Sequence, residues 1–155
     1  GDSDPLAGER FIYAATFNGG VVAVDVRSGE ISWRRTEMSS YKKMLADWVS
    51  IFVVDVNNHI WSADQNDGGI NWLQDRLENR QLTPLTQVGD YLLTADYEGY
   101  VHILNVTDGA LVGRLKVSDV AITAAPIVDD GLIYVQDIDG EITALRVADQ
   151  GFSEE

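Results

Sequence analysis

Any chemistry in this chain would have to come from two histidines, a surplus of carboxylates and a few basic residues, because its 155 residues include no cysteine. That rules out thiol nucleophiles, disulfides and thiolate metal sites within the stretch. His59 and His102 are the natural candidates for a metal ligand or general base. They fall in equivalent strands of a repeat, one place out of register, and neither has a Cys or His at ligand spacing, so packing is expected of both. Asp64-Gln65-Asn66-Asp67-Gly68 approaches a calcium loop, but the fifth place of D-x-[DN]-x-[DN]-G falls on Gly68. Asp137-Ile138-Asp139-Gly140 fails as well, with Val135 as first ligand and Arg146 in the bidentate place. Hairpin turns account for both runs. A serine nucleophile would need a strained elbow and a matched histidine, and neither is visible. Carboxylates crowd the turns of so acidic a chain, so their pairing does not single out an acid–base site. No catalytic, cofactor-binding or metal-binding residue is therefore assigned. Among the cations, Lys42-Lys43 reads as a solvated loop. Arg76 and Arg80 lie in the longest polar connection, Asp75 to Leu82, which is either a plain connector or a loop displaying both arginines to a partner.

What would position these residues is a repeat. In Phe17-Asn18-Gly19-Gly20-Val21-Val22-Ala23-Val24-Asp25-Val26-Arg27-Ser28-Gly29-Glu30-Ile31-Ser32-Trp33, strand, turn, strand, turn and strand follow one another. Asn18-Gly19 suits a two-residue type I′ hairpin, and Val21 to Val26 reads as a strand buried on both faces. The first turn recurs at Asn57-Asn58, Glu98-Gly99 and Asp139-Gly140, its second residue stepping by 39, 41 and 41. Ser28-Gly29, Asp67-Gly68 and Asp108-Gly109 form the second turn, and Trp33, Trp72 and Gly113 share one register of the strand beyond it. About fourteen residues before each first turn, Pro5, Met44, Pro84 or Pro126 opens a further strand. Four short strands in each period of about forty residues describe a β-propeller blade.

The fold class is therefore all-β, a propeller of four-stranded antiparallel blades over about 4–38, 39–79, 80–118 and 119–150. The last blade is expected to break down at Ala148-Asp149-Gln150-Gly151 without an outer strand, and Phe152 to Glu155 to fray. The ring would then be completed by sequence outside this chain, the four blades being half of an eight-bladed propeller. Asp47-Trp48-Val49 replaces the glycine turn of the other copies, which predicts Trp48 as the cap of a blade edge.

Composition bounds the partners. The hydrophobic content of 45% suffices for a core. A net charge of −14 speaks against nucleic acid and against direct adsorption to anionic lipid, since both demand a basic surface. The longest apolar run, Trp48 to Val54, is too short to span a membrane. Blade faces left open at the ends of an incomplete ring predict self-association.

The stretch from Asp25 to Trp33 resembles the pyrroloquinoline-quinone (PQQ) type propeller repeat, in which A-L-D leads to x-x-T/S-G-x-x-x-W. More closely, nearly the whole chain resembles the C-terminal half of the BamB family, outer-membrane β-barrel assembly lipoproteins of Gram-negative bacteria. That resemblance rests on Tyr97-Glu98-Gly99-Tyr100 with Val106-Thr107-Asp108-Gly109, on Val54-Asp55-Val56-Asn57-Asn58, and on Arg80-Gln81-Leu82-Thr83-Pro84. It implies a non-enzymatic scaffold without cofactor, lipid-anchored at the periplasmic face of the outer membrane. The scaffold would hold the POTRA domains of BamA, meet unfolded outer-membrane proteins and aid their insertion. In the family an Asp-x-Asp pair before one blade's inner strand contributes to BamA binding. Asp2 and Asp4 stand at about that place, closer to Pro5 than the family pattern has them. The alternatives are a fragment of a PQQ-dependent dehydrogenase, which would hold calcium through Glu, Asn and Asp, and a peptide- or glycan-binding propeller, which needs aromatic residues exposed at a loop face.

Overall fold

Short runs of β-branched and aromatic residues, punctuated by Gly, Asp and Asn, can bury themselves only as strands that cover one another. The computed structural model describes residues 5–148 and 151–154. Among the described residues are sixteen strands and no helix, forming four antiparallel sheets of four consecutive strands. The chain divides into two compact units, Gly1–Glu78 and Asn79–Glu155.

The first unit holds β1 (Leu6–Ala7), β2 (Phe11–Thr16), β3 (Gly20–Asp25) and β4 (Ile31–Arg35), then β5 (Leu45–Ala46), β6 (Ser50–Val54), β7 (Ile60–Asp64) and β8 (Ile70–Gln74). Leu6, Tyr13, Ala23 and Trp33 lie side by side across the first sheet. They share a core with Met38, Ile51 and Ala63. Trp33 joins its blade to the next. The indole lies over Gly68, where a Cβ would come within 2.6 Å of the ring, and its Nε1 donates to the Gln65 carbonyl at 2.8 Å. The Arg35 Nε donates to the Gly68 carbonyl at 2.6 Å beside it. Gly68, with φ of +73°, also adopts a conformation that a side chain resists.

The opposite row, Ile12, Val24 and Ile31, is only partly covered, so β3 is buried on one face rather than both as its sequence suggested. An apolar β-branched run does not reveal whether a second sheet covers it.

The second unit holds β9 (Thr86–Val88), β10 (Tyr91–Ala95), β11 (Tyr100–Asn105) and β12 (Leu111–Lys116), then β13 (Ile127–Asp129), β14 (Leu132–Gln136), β15 (Ile142–Ala148) and β16 (Gly151–Glu154). Leu93, Val101, Ile103, Ile133, Val135 and Leu145 form its core. Gly113 lies opposite Ile103, as Trp33 lies opposite Ala23 and Trp72 opposite Ser62, so the shared register holds.

The expectation of a last blade without its outer strand is overturned. β16 pairs antiparallel with β15, Ala148 opposite Gly151 and Leu145 opposite Glu154, so the residues expected to fray complete the fourth sheet. Nothing in the tail repeats the glycine-to-tryptophan signature. Its pairing instead satisfies the backbone edge that β15 would otherwise expose.

Ile127 and Ile142 are exposed in the second unit, as Ile12 and Ile31 are in the first. Light scattering on the isolated chain is accordingly expected to show concentration-dependent dimers or larger species. A monodisperse monomer at high concentration would contradict it.

Candidate functional site

Strand direction decides which loops meet. In each sheet the second strand leads into the first turn, and the fourth runs the same way into the connection to the next sheet. Within each unit, first turns and connections therefore share one end of the blades. Backbone bonds join them in a fixed pattern. The residue after each turn Asp donates to a connection carbonyl seventeen positions earlier: Val56 to Ser39 at 2.9 Å, Tyr97 to Arg80 at 3.1 Å and Ile138 to Ala121 at 2.9 Å. Ser40 likewise donates to Thr16, and Ile122 to Asp96, the turns of the preceding blades. Such satisfied backbone keeps these loops from being floppy connectors.

Each turn is built on a carboxylate. Asp55, Asp96 and Asp137 recur every 41 residues. Asp55 Oδ1 accepts the amides of Asn57 and His59, Asp96 Oδ1 those of Glu98 and Tyr100, and Asp137 Oδ1 those of Asp139 and Glu141. In the first blade the Thr16 hydroxyl takes this part, accepting from the Gly19 amide at 2.6 Å. That turn is not the two-residue type I′ expected of Asn18-Gly19. Thr16 pairs with Gly20 across three loop residues, and Gly20 carries the positive φ of +76°.

The second carboxylate oxygen is free to differ from blade to blade. Asp55 Oδ2 accepts from the Trp61 indole at 2.8 Å, and Asp137 Oδ2 from the Ser118 hydroxyl at 2.7 Å. Asp96 Oδ2 meets His102 Nε2 at 2.7 Å and an Arg80 guanidinium nitrogen at 3.1 Å. The Asp96 side chain is 0% and the His102 side chain 2% exposed, against 25% for Arg80. Burial by itself would raise the Asp96 pKa. Hydrogen bonds from His102, the Tyr100 amide, Arg80 and the Glu98 amide outweigh it and hold the carboxyl below its ordinary value. Arg80 also lies over the Tyr100 ring, 5.3 Å from its centroid.

Arg80 is thus turned inward as the partner of a buried carboxylate, whereas Arg76 is exposed, its amide bonded to Gln74 Oε1 at 3.0 Å. Asp2 and Asp4 lie outside the described residues. His59 and His102 stand four and six places after their turn Asp, two apart rather than one. His59 Nε2 lies 3.0 Å from Glu78 Oε2. Lys43 is solvated as expected, but Lys42 is half-buried and donates to Asn58 Oδ1 at 2.9 Å. Burial lowers its pKa, with Asp55 opposing.

Sequence reasoning missed the carboxylate framework, although the Asp spacing and the six-residue step from Asp55 to Trp61 and Asp96 to His102 were available as signals. It also missed an exposed aromatic pair. Phe17, in a first turn, stacks on Tyr41, in a connection, with ring centroids 6.3 Å apart, and the Lys42 ammonium lies 5.7 Å from the Tyr41 ring. In the second unit Tyr97 is exposed on its own first turn.

Four-stranded blades repeating about every forty residues, the first of them docking its outer-strand Trp33 on the turn Gly68 of the next, define a β-propeller of PQQ-like repeats. The family model described as "Outer membrane protein assembly factor BamB" matches residues 2–74 and 77–151. The chain belongs to the BamB family. It is 35% identical over 146 residues to the outer membrane protein assembly factor BamB of Shewanella oneidensis, covering 94% of this chain and 37% of that protein. To the Salmonella typhimurium protein of that name it is 36% identical over 145 residues, covering 93% of this chain and 36% of the other. The chain thus spans little more than a third of the length of these relatives. Among solved structures, BamB from Moraxella catarrhalis superposes with a TM-score of 0.82 at 25% identity, over 92% of this chain and 42% of that one. The computationally designed Ika4 protein superposes with a TM-score of 0.83 at 10% identity, over 96% of this chain and 92% of that one, a likeness of fold alone.

Proposed function

We propose that this chain is part of a non-enzymatic scaffold for outer-membrane β-barrel protein assembly, and that the blade end carrying first turns and connections grips the POTRA domains of BamA. Family membership supports the assembly role. The observation that carries the gripping end is its construction: backbone bonds between turns and connections hold Phe17 and Tyr41 out to solvent on a rigid base. Exposed aromatics held rigid lose little freedom on binding, and such residues anchor protein interfaces. The parent would be an eight-bladed ring of which this chain supplies half, lipid-anchored at the periplasmic face of the outer membrane. Asp2 and Asp4 would add acidic contacts, Arg76 an exposed cation, and Arg80 would act by bracing the turn that displays Tyr97.

The test is binding of this chain to purified POTRA domains of the cognate BamA. Phe17→Ala/Tyr41→Ala and Asp2→Ala/Asp4→Ala are each expected to weaken it by about tenfold, the loss of one modest interfacial contribution. Binding unaffected by the aromatic change would move the grip elsewhere, and no binding would refute the assignment to this chain. The dehydrogenase alternative predicts that pyrroloquinoline quinone with calcium raises the melting temperature, since a ligand of the native state stabilises it by mass action. No shift is expected.

A further inference from the structure

At the other end of the first two blades, the β1–β2, β5–β6 and β7–β8 turns surround a cavity of about 350 Å³. Trp48 stands on its rim and is 91% exposed, so it does not cap a blade edge as its sequence position suggested. The turn beneath it is rigid. Asp47 Oδ1 accepts the Val49 amide at 3.0 Å and the Ser50 amide at 2.7 Å. Gln65 clamps the same turn, its Nε2 donating to the Asp47 carbonyl at 2.6 Å and its amide to the Val49 carbonyl at 3.0 Å. A large ring is thus held in water on a fixed base, gaining nothing from burial. Arg10, Glu9 and Asn66 line the cavity beside it.

We propose that this cavity is a saccharide-binding subsite, in which the Trp48 indole stacks on a sugar ring while Arg10, Glu9 and Asn66 exchange hydrogen bonds with its hydroxyls. A sugar ring has an apolar C–H face and a rim of hydroxyls that both donate and accept. It therefore needs a flat exposed aromatic beside planar polar groups of both kinds, and these residues supply that set. Glu9 and Arg10 oppose each other in charge, so the pair gives no strong preference for an ionic ligand. An extended peptide would need a free strand edge, and β1 and β5, the inner strands here, are two residues long. The volume lies within the range of small-ligand pockets. The rigid turn removes most of the ordering cost that a mobile loop would bring.

The experiment is a titration of the chain with chitotetraose, cellotetraose and maltotetraose, followed by amide and indole NMR shifts. At least one sugar is expected to shift the Trp48 indole and Asn66 signals saturably at millimolar or lower concentration. Trp48→Ala is expected to weaken that binding by about tenfold, while Trp48→Phe retains it to within about threefold, because the stacking face is kept. No shift at these signals with any of the three sugars would overturn the proposal, as would binding indifferent to Trp48→Ala. A Lys-Trp-Lys peptide is expected to leave these signals unmoved. If it moves them and the sugars do not, the cavity is a peptide pocket and the proposal fails.

Discussion

Replacing Trp33 by alanine is expected to destabilise the first unit by about 3–5 kcal/mol, the range for removing a large buried aromatic. The same change at Trp48 should stay within about 0.5 kcal/mol, as for surface positions without special contacts. The two rings share a unit and a residue type, so the contrast isolates environment. Trp33 is 8% exposed, packs on Tyr13 at 6.1 Å between centroids, covers Gly68, and donates its Nε1 proton to the Gln65 carbonyl. Its removal leaves a cavity between two blades and a carbonyl without its indole donor. Trp48 is 91% exposed, and the polar contacts of its turn are made by Asp47, Val49, Ser50 and Gln65. Gly68→Ala should reproduce much of the Trp33 loss from the opposite side. A Cβ there would approach the indole to 2.6 Å, and φ of +73° disfavours any side chain. Urea unfolding followed by circular dichroism measures all three. Equal losses for Trp33→Ala and Trp48→Ala would remove the tryptophan–glycine contact as the link between these blades.

At neutral pH, Asp96→Ala is expected to cost the second unit about 3–5 kcal/mol, the range for breaking a buried ion pair by deleting one partner. The deletion strands His102, the Arg80 guanidinium and the amides of Glu98 and Tyr100 together. The effect should also depend on pH in a definite direction. Because the folded-state pKa of Asp96 is lowered, its contribution is fully present above the ordinary carboxylate value. It is lost as pH falls through the lower folded value. The stability gap between the parent chain and Asp96→Asn, which cannot titrate at this position, should therefore narrow as pH falls below about 4. Asp25 and Asp137 have lowered pKa values too, but they are present in both proteins and cancel in the difference. Urea midpoints compared at neutral and acidic pH test this. A gap that stays constant to strongly acidic pH would mean that Asp96 is not held as a bonded carboxylate.

Strand positions, the period of the blades and the common register of Trp33, Trp72 and Gly113 were determined by the sequence itself. β-branched runs and turn residues act over a few neighbouring positions, and a repeat multiplies that local signal. The destinations of single side chains were decided by the tertiary structure. Arg80 reads as a loop cation until Asp96, sixteen positions on, is seen to lie beneath it. His102 looks like an isolated imidazole until the first turn folds its carboxylate against the ring. Trp48 and Trp33 are indistinguishable as hydrophobic residues, yet one stands in water and the other joins two blades. β16 carries no repeat signature and becomes a strand because β15 presents an edge to pair with. Local backbone preference writes the elements into neighbouring residues. Burial and charge pairing depend on which distant residues arrive at the same place, and that is settled only when the blades pack.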